Sequence, residues 1–199
     1  NPEFDDHYVV GPKRHIDVGC FGSVRPLKNH LIQGIAAMTF ADEIGKPLHF
    51  HINSNRVESQ GDPVLKNLRQ LFQQSKRHEL VEHAWMPHGE FKRLIRTMEL
   101  GMQVSYTETF NIVTADFVTE GVPVVTSSEV WWLPQHVHAD PNDAGDIIKK
   151  LKRVWTGRLF GLQKLNYQGL KQYAHASIDR WDQFLVPHRH HHECEREQL

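Results

Sequence analysis

Between residues 15 and 155, short apolar or β-branched runs alternate with longer stretches whose apolar residues recur at helical spacing. This alternation constrains the chain more than any single motif, because strands that each feed a helix close most readily as a parallel sheet with helices on both faces. The strands read as residues 16–21, 48–53, 79–84 and 102–106, with a further extended run after Gly121. Leu31, Ile35 and Met38 mark a first helix that Gly45 and Pro47 end. Asp62-Pro63 starts a second, with Val64, Leu65, Leu68, Leu71 and Phe72 as its apolar stripe. Phe91, Leu94, Ile95 and Met98 give a third, and residues 112–120 a fourth. Behind a turn at 139–143, Ile147, Ile148, Leu151, Val154 and Trp155 give a fifth. A last helical region at 161–185 carries Leu165, Leu170, Tyr173, Ile178, Trp181 and Phe184. The expected fold is α/β, a doubly wound parallel sheet over 15–185, after a linker at 1–14 and before a His-rich disordered tail at 186–199.

The chain has 199 residues, 39% of them hydrophobic, and a formal net charge of −1. That is the profile of one soluble domain with a sizeable core, and its bulk charge does not suit nucleic acid. No apolar run approaches the roughly 20 residues that cross a bilayer, and the first six residues do not read as a secretory signal, so the expected location is cytoplasmic. Cys20 and Cys194 are too far apart and too dissimilar in setting for a disulfide framework or zinc-ligand spacing. His188, His190, His191 and His192 with Cys194 could chelate adventitious metal, but nothing in the sequence fixes their geometry, and no metal is expected in the working site.

The stretch from Glu108 to Asp116, followed by Gly121-Val122-Pro123-Val124-Val125, reads as strand end, acidic loop, helix and strand. Its two acids bracket a helix N-terminus. There the unpaired amides around Thr109, Phe110, Asn111 and Ile112 and the positive dipole end attract phosphate, while a carboxylate accepts hydrogen bonds from sugar hydroxyls. That combination suits a nucleotide-sugar. The loop after the first strand carries Gly22, Ser23, Arg25 and Lys28 at the same sheet edge, and its two cations could hold a pyrophosphate. The segment Gly19-Cys20-Phe21-Gly22 lacks the full dinucleotide pattern, and Asn53 and Ser54 stand where an adenosine-binding acid belongs, which disfavours NAD. Asn53 faces the same crevice and could hydrogen-bond a ligand. Taken singly, Glu108 also reads as a solvated loop acid, Asp116 as an exposed helix residue and the first loop as a solvated basic turn.

In order, Ser105, Glu108, Phe110, Asp116, Gly121, Pro123, Val124 and Val125 resemble the donor-binding motif of retaining glycosyltransferases of GT-B architecture, in the C-terminal domain of the glycosyl transferases group 1 type. That family normally has Glu at the place of Asp116 and Gly at the place of Asn111, and its usual first-loop Arg falls nearer Ser23 than Arg25. The resemblance implies a Rossmann-like half of a GT-B fold that transfers a sugar from a nucleoside-diphosphate sugar to an unknown acceptor, with retention and without a metal or other cofactor. It implies Lys28 and Arg25 against the leaving diphosphate, Glu108 on the donor sugar, Asp116 on the ribose, and Trp85 and Met86 at the nucleobase. It also implies an N-terminal acceptor-binding domain in the same polypeptide, with Asn1-Pro2 fitting the boundary between the two. The last helix should then expose part of its apolar face, and the fragment alone should be inactive. The departures at Asp116, Asn111 and Arg25 leave open an alternative, a degenerate domain of this type with an assembly or interaction role.

Overall fold

A computed structural model describes residues 13–194, with side chains through residue 185. The expected linker lies almost wholly outside these residues, as do 195–199 of the expected tail. Five strands form one sheet: β1 (Ile16–Gly19), β2 (Leu48–Asn53), β3 (Glu79–His83), β4 (Leu100–Gln103) and β5 (Val124–Thr126). All pairings are parallel and the order is β3-β2-β1-β4-β5. The helices are α1 (His30–Glu43), α2 (Asp62–Gln73), α3 (His88–Ile95), α4 (Ile112–Thr119), α5 (Ala144–Gly157) and α6 (Gln163–Cys194). The doubly wound parallel sheet expected from the alternation is therefore the fold.

One sheet face is apolar. Ile16, Val18, Leu48, Phe50, Ile52, Leu100 and Met102 are fully buried on it, and α1 packs there with α2 and α5 beside it. Contact is close enough that a Cβ on Gly34 of α1 would lie 2.9 Å from Leu68 of α2. The other face carries the alternate residues of the same strands. Over β1 and β4 it is covered by Phe117 of α4, whose ring lies where a Cβ on Gly19 or Gly101 would stand, at 2.9 and 2.7 Å. Phe21 stacks on Phe117 and meets Phe91 of α3 edge-on. Over β1 and β2, this face instead presents Asp17, His49 and His51.

Three strands differ in their bounds from the sequence reading: β3 ends at His83, one residue short of the expected 84, and β1 and β4 shift further. β1 ends at Gly19, because Phe21 turns into the core between α3 and α4. β4 begins at Leu100, since Gly101 is an interior strand residue that makes room for Phe117. The α5 start is capped by Asp143, whose carboxylate accepts from the Gly145 and Asp146 amides at 2.8 and 3.1 Å. Helix α6 continues past residue 185, where the tail was expected to begin. Its first half packs on the domain through Leu170 and Tyr173, while Ile178, Trp181 and Phe184 are exposed, in line with the expected partial exposure of this face.

Candidate functional site

Between β1 and β4 the chain changes sides, and the loops leaving both strands meet at their carboxyl ends, the usual crevice of open α/β sheets. Gly22 turns the first loop at φ +117, a conformation that glycine adopts without strain. Its N–H donates to Asn53 Oδ1 at 3.0 Å, so the last residue of β2 holds that loop in place. Val24 then pairs with the segment after β2, its N–H donating to the Arg56 carbonyl and its carbonyl accepting from Glu58. Asn29, at φ 58, leads into α1 and donates to the carbonyls of Val104 and Pro141 at 3.2 and 2.9 Å. Gln33 accepts the Val104 N–H at 2.9 Å and donates to the Lys28 carbonyl at 2.8 Å. The Tyr106 amide donates to Leu27. These bonds lash the loop after β1 to the loop after β4.

Across that seam Lys28 Nζ meets Glu108 Oε1 at 2.5 Å, with side chains only 12% and 5% exposed. The ionisable neighbours are neutral. Burial pushes the Cys20 thiol up to about 12, and burial followed by repulsion from Lys28 pushes the His30 imidazole down to about 4. The pair is thus balanced internally, in a setting where charge interactions are little screened.

Asn111 caps α4. It sits at φ 55, its Oδ1 accepts the Thr114 N–H at 2.9 Å, and its Nδ2 donates to Gln103 Oε1 at 3.1 Å. A left-handed residue is required there, which glycine or asparagine supplies at least cost. The cap satisfies the Thr114 amide and leaves those of Ile112 and Val113 as the helix-start donors free of the helical ladder.

Beside this helix start a cleft of about 230 Å³ opens, lined by Gly22, Ser23, Asn53, Asn55, Arg56, Trp85, Met86, His88, Phe91, Ile112, Val113 and Asp116. Trp85 is 71% exposed. Asp116 is buried, with Oδ1 2.9 Å from His88 Nε2. Burial raises its carboxyl above the ordinary aspartate range, and the His88 hydrogen bond opposes that shift without cancelling it.

Of the residues singled out from sequence, Gly22, Ser23, Asn53, Trp85, Met86, Ile112 and Asp116 share this one cleft. Lys28 and Glu108 form the adjoining pair. Ser105, two residues beyond β4, is fully buried with an unpartnered hydroxyl, and Thr109 is exposed. Phe110 points away: its ring stacks between Trp132 and Tyr173, and its carbonyl accepts from Trp132 Nε1 at 2.8 Å, which anchors the acidic loop to α6. Arg25 does not line the cleft, and its Nε is buried without a partner. The cation at the cleft is Arg56, held by Glu58 at 2.6 Å. Sequence reasoning did not assign Arg56, Asn55 or His88 to the site. Their one signal was position, just beyond the ends of β2 and β3.

No model of a known protein family matches the chain, and no curated protein is detectably similar to it in sequence. Solved structures are similar in fold. The E. coli trehalose-6-phosphate structure bound with UDP-2-fluoro glucose superposes with a TM-score of 0.67 at 12% identity, over 87% of this chain and 43% of that one. The catalytic domain of cholesterol-α-glucosyltransferase from Helicobacter pylori gives 0.62 at 14% identity, over 81% and 98% of the two chains. The C-terminal domain of a glycosyl transferase group 1 family protein, LpcC, from Francisella tularensis gives 0.66 at 14% identity, over 79% and 85%. This chain spans less than half the length of the E. coli protein. No described helix is long and apolar enough to cross a membrane. Sheet order, crossovers and these superpositions together identify a Rossmann-like fold of the kind that forms one half of a GT-B architecture.

Proposed function

We propose that the domain binds a nucleoside-diphosphate sugar at the carboxyl edge of the sheet and, joined to an acceptor-binding domain, transfers the sugar with retention. One observation carries this reading: a cleft walled by an exposed tryptophan and a buried carboxylate adjoins a helix start and a buried Lys28–Glu108 pair, all at one crevice. The base stacks on Trp85 and the ribose hydroxyls donate to Asp116. The diphosphate lies toward the amides of Ile112 and Val113, with Lys28 as the nearer fixed cation and Arg56 at the rim. When the bond between the anomeric carbon and the diphosphate oxygen breaks, its electron pair leaves on that oxygen, while the acceptor oxygen bonds to the anomeric carbon from the same face and its proton passes to the departing diphosphate. The amides and Lys28 meet the growing charge with no reorganisation, the form of stabilisation that dominates many enzymatic rate enhancements. Glu108, already oriented by Lys28, accepts hydrogen bonds from the donor sugar. The likeness to the UDP-2-fluoro glucose complex and to an α-glucosyltransferase supports a nucleotide-sugar as the ligand class.

Calorimetry against UDP, GDP and ADP without divalent metal tests the reading. The expected result is submillimolar to millimolar binding of at least one, roughly 4 to 6 kcal/mol, weakened by Glu108→Gln when the sugar is attached but little changed for the bare diphosphate. A folded sample that binds none of the three nucleotides removes the proposal. Sugar transfer by the chain alone, at the rate seen when an acceptor-binding domain is joined to it, would remove the division of labour between two domains.

A further inference from the structure

The other notable polar cluster lies away from the crevice, on the half of the sheet that Phe117 does not cover. His15 precedes β1, Asp17 lies within it, and Asp17 pairs in register with His49 of β2. His15 Nε2 is 3.3 Å from Asp17 Oδ2, and His49 Nδ1 is 3.3 Å from Asp17 Oδ1. One ligand atom from each of the three residues lies within 4.8 Å of the others. In tetrahedral coordination with bonds of about 2.0–2.1 Å, neighbouring ligand atoms stand about 3.3 Å apart. Each imidazole-to-carboxylate spacing has that value, one ring to each carboxylate oxygen, so an ion draws on both oxygens of Asp17 or shifts one ring toward a shared oxygen. The two imidazoles are stacked with centroids 3.8 Å apart, and being each about one-third exposed they are free to fan open around an ion.

We propose that His15, Asp17 and His49 bind a divalent ion of the zinc type, clamping the chain ahead of β1 to β2. Two imidazole nitrogens and one carboxylate oxygen suit zinc better than calcium or magnesium, which prefer all-oxygen sets. The outer groups fit the same role. His49's other nitrogen, Nε2, lies 3.7 Å from Glu79 Oε2, an ion-pair distance beyond hydrogen-bond length, and a small rotation of the exposed Glu79 completes the carboxylate–histidine–metal arrangement that fixes tautomer and ring orientation. Asp17 Oδ1 is also held by His51 Nε2 at 3.0 Å, and His51 Nδ1 in turn by His83 Nε2 at 2.9 Å. Lys13 contacts Asp17 Oδ2 and lies 3.4 Å from Glu99 Oε1, so an ammonium group competes with the ion for the same carboxylate. None of these residues is among those that line the cleft, and the ion is assigned no part in sugar transfer.

The test uses the full chain with His188, His190, His191 and His192 replaced by Asn, so that the histidine-rich segment cannot report. Cobalt(II) is titrated and its ligand-field absorption followed, and zinc is then competed against a chromophoric chelator. The expected result is one ion per chain with tetrahedral cobalt absorption, a micromolar or tighter zinc affinity, and a rise in thermal midpoint with zinc. His49→Ala should abolish the cobalt spectrum. Glu79→Gln, at an exposed position that leaves folding intact, should weaken zinc about tenfold. Lys13→Met should tighten it, which a chance pair of surface histidines would not do. Circular dichroism confirms that each variant is folded. A parent chain that binds neither ion below about 100 µM overturns the proposal, as does an affinity unmoved by His49→Ala and Glu79→Gln together.

Discussion

The two halves of the crevice handle charge in opposite ways. Lys28 and Glu108 neutralise one another in a seam closed by Asn29 and Gln33, with neither side chain more than 12% exposed. A few residues on, Asp116 and His88 share a hydrogen bond at 2.9 Å, but His88 is 65% exposed and their surroundings form an open cleft. The first pair is part of the fold's own bonding and, under the proposed function, also a site. The second lines an open cleft and does little of the fold's bonding. Variants in the seam should therefore act on stability as well as binding, whereas variants in the cleft should act on binding alone.

The largest expected effect sharpens that contrast. Glu108→Ala leaves a nearly buried ammonium unpaired and should cost about 3–5 kcal/mol of unfolding free energy. The double variant Lys28→Met with Glu108→Leu removes both charges and should restore most of that loss while donor binding stays absent. Urea titrations of the single and double variants measure both quantities. A cost below about 1 kcal/mol for Glu108→Ala would show that the pair is solvated in solution and the two halves are alike.

Second is a pH effect on the seam side. His30 is buried at the start of α1 beside Lys28, and its imidazole is held down to about 4 from 6.5. The folded state therefore binds fewer protons on this residue than the unfolded state, and the stabilisation it brings is full above pH 6.5 and lost as pH falls toward 4. The linked loss is about 3 kcal/mol at most. Unfolding free energies of the native chain and His30→Gln, compared from pH 7 to pH 4, should converge by that order of magnitude. Parallel curves would mean that the fold does not hold His30 away from its unfolded value.

On the cleft side, Trp85→Ala should leave stability within about 0.5 kcal/mol, because the indole is 71% exposed. Nucleotide affinity should fall by roughly 1–3 kcal/mol if a base stacks there. A loss of stability without a loss of affinity would reverse the assignment of the two halves.

How much of this was legible follows the same division. Gly45, Pro47 and Asp62-Pro63 act locally, so β2 and the start of α2 could be read directly from residue types. Gly101 could not, since its reason for being glycine is the Phe117 ring, 16 residues later. Both acids and Lys28 were identifiable as candidates, but that Lys28 pairs with Glu108 depends on a seam joining segments 80 residues apart. Asn111 looked like a departure from the resembling motif; its φ of 55 and its cap on Thr114 give the substitution a local reason. Arg25 and Lys28 read together as the two cations of the first loop; Arg25 does not line the cleft, and the bridge between Val24 and Val57 places Arg56 there. The cluster at Asp17 drew no attention in the sequence. Its histidines lie in separate segments, and only the parallel register of β1, β2 and β3 makes them neighbours.

The smallest effect expected is that of Asp116→Asn. The carboxylate is hydrogen-bonded to His88 before any ligand arrives, so a ribose hydroxyl adds one bond to a group already partly satisfied, and the net gain is about 1 kcal/mol, near the low end for bonds to charged groups. Nucleotide affinity should fall about fivefold. Stability at pH 7 should not fall, because burial holds the Asp116 carboxyl above its ordinary range and the ionised form is the one the fold disfavours. Its stabilising contribution is present below the unfolded value and lost as pH rises through the folded one, which is the reverse of the trend at His30. Ribose recognition needs the ionised form, so affinity in the native chain should rise with pH through the raised Asp116 value. Phosphate ionisation contributes a trend of its own, and the Asn variant supplies that baseline. Titrating UDP into both chains across pH 4 to 8 isolates the difference. Identical slopes would place the ribose elsewhere and leave His88 as the only partner Asp116 has reason to keep.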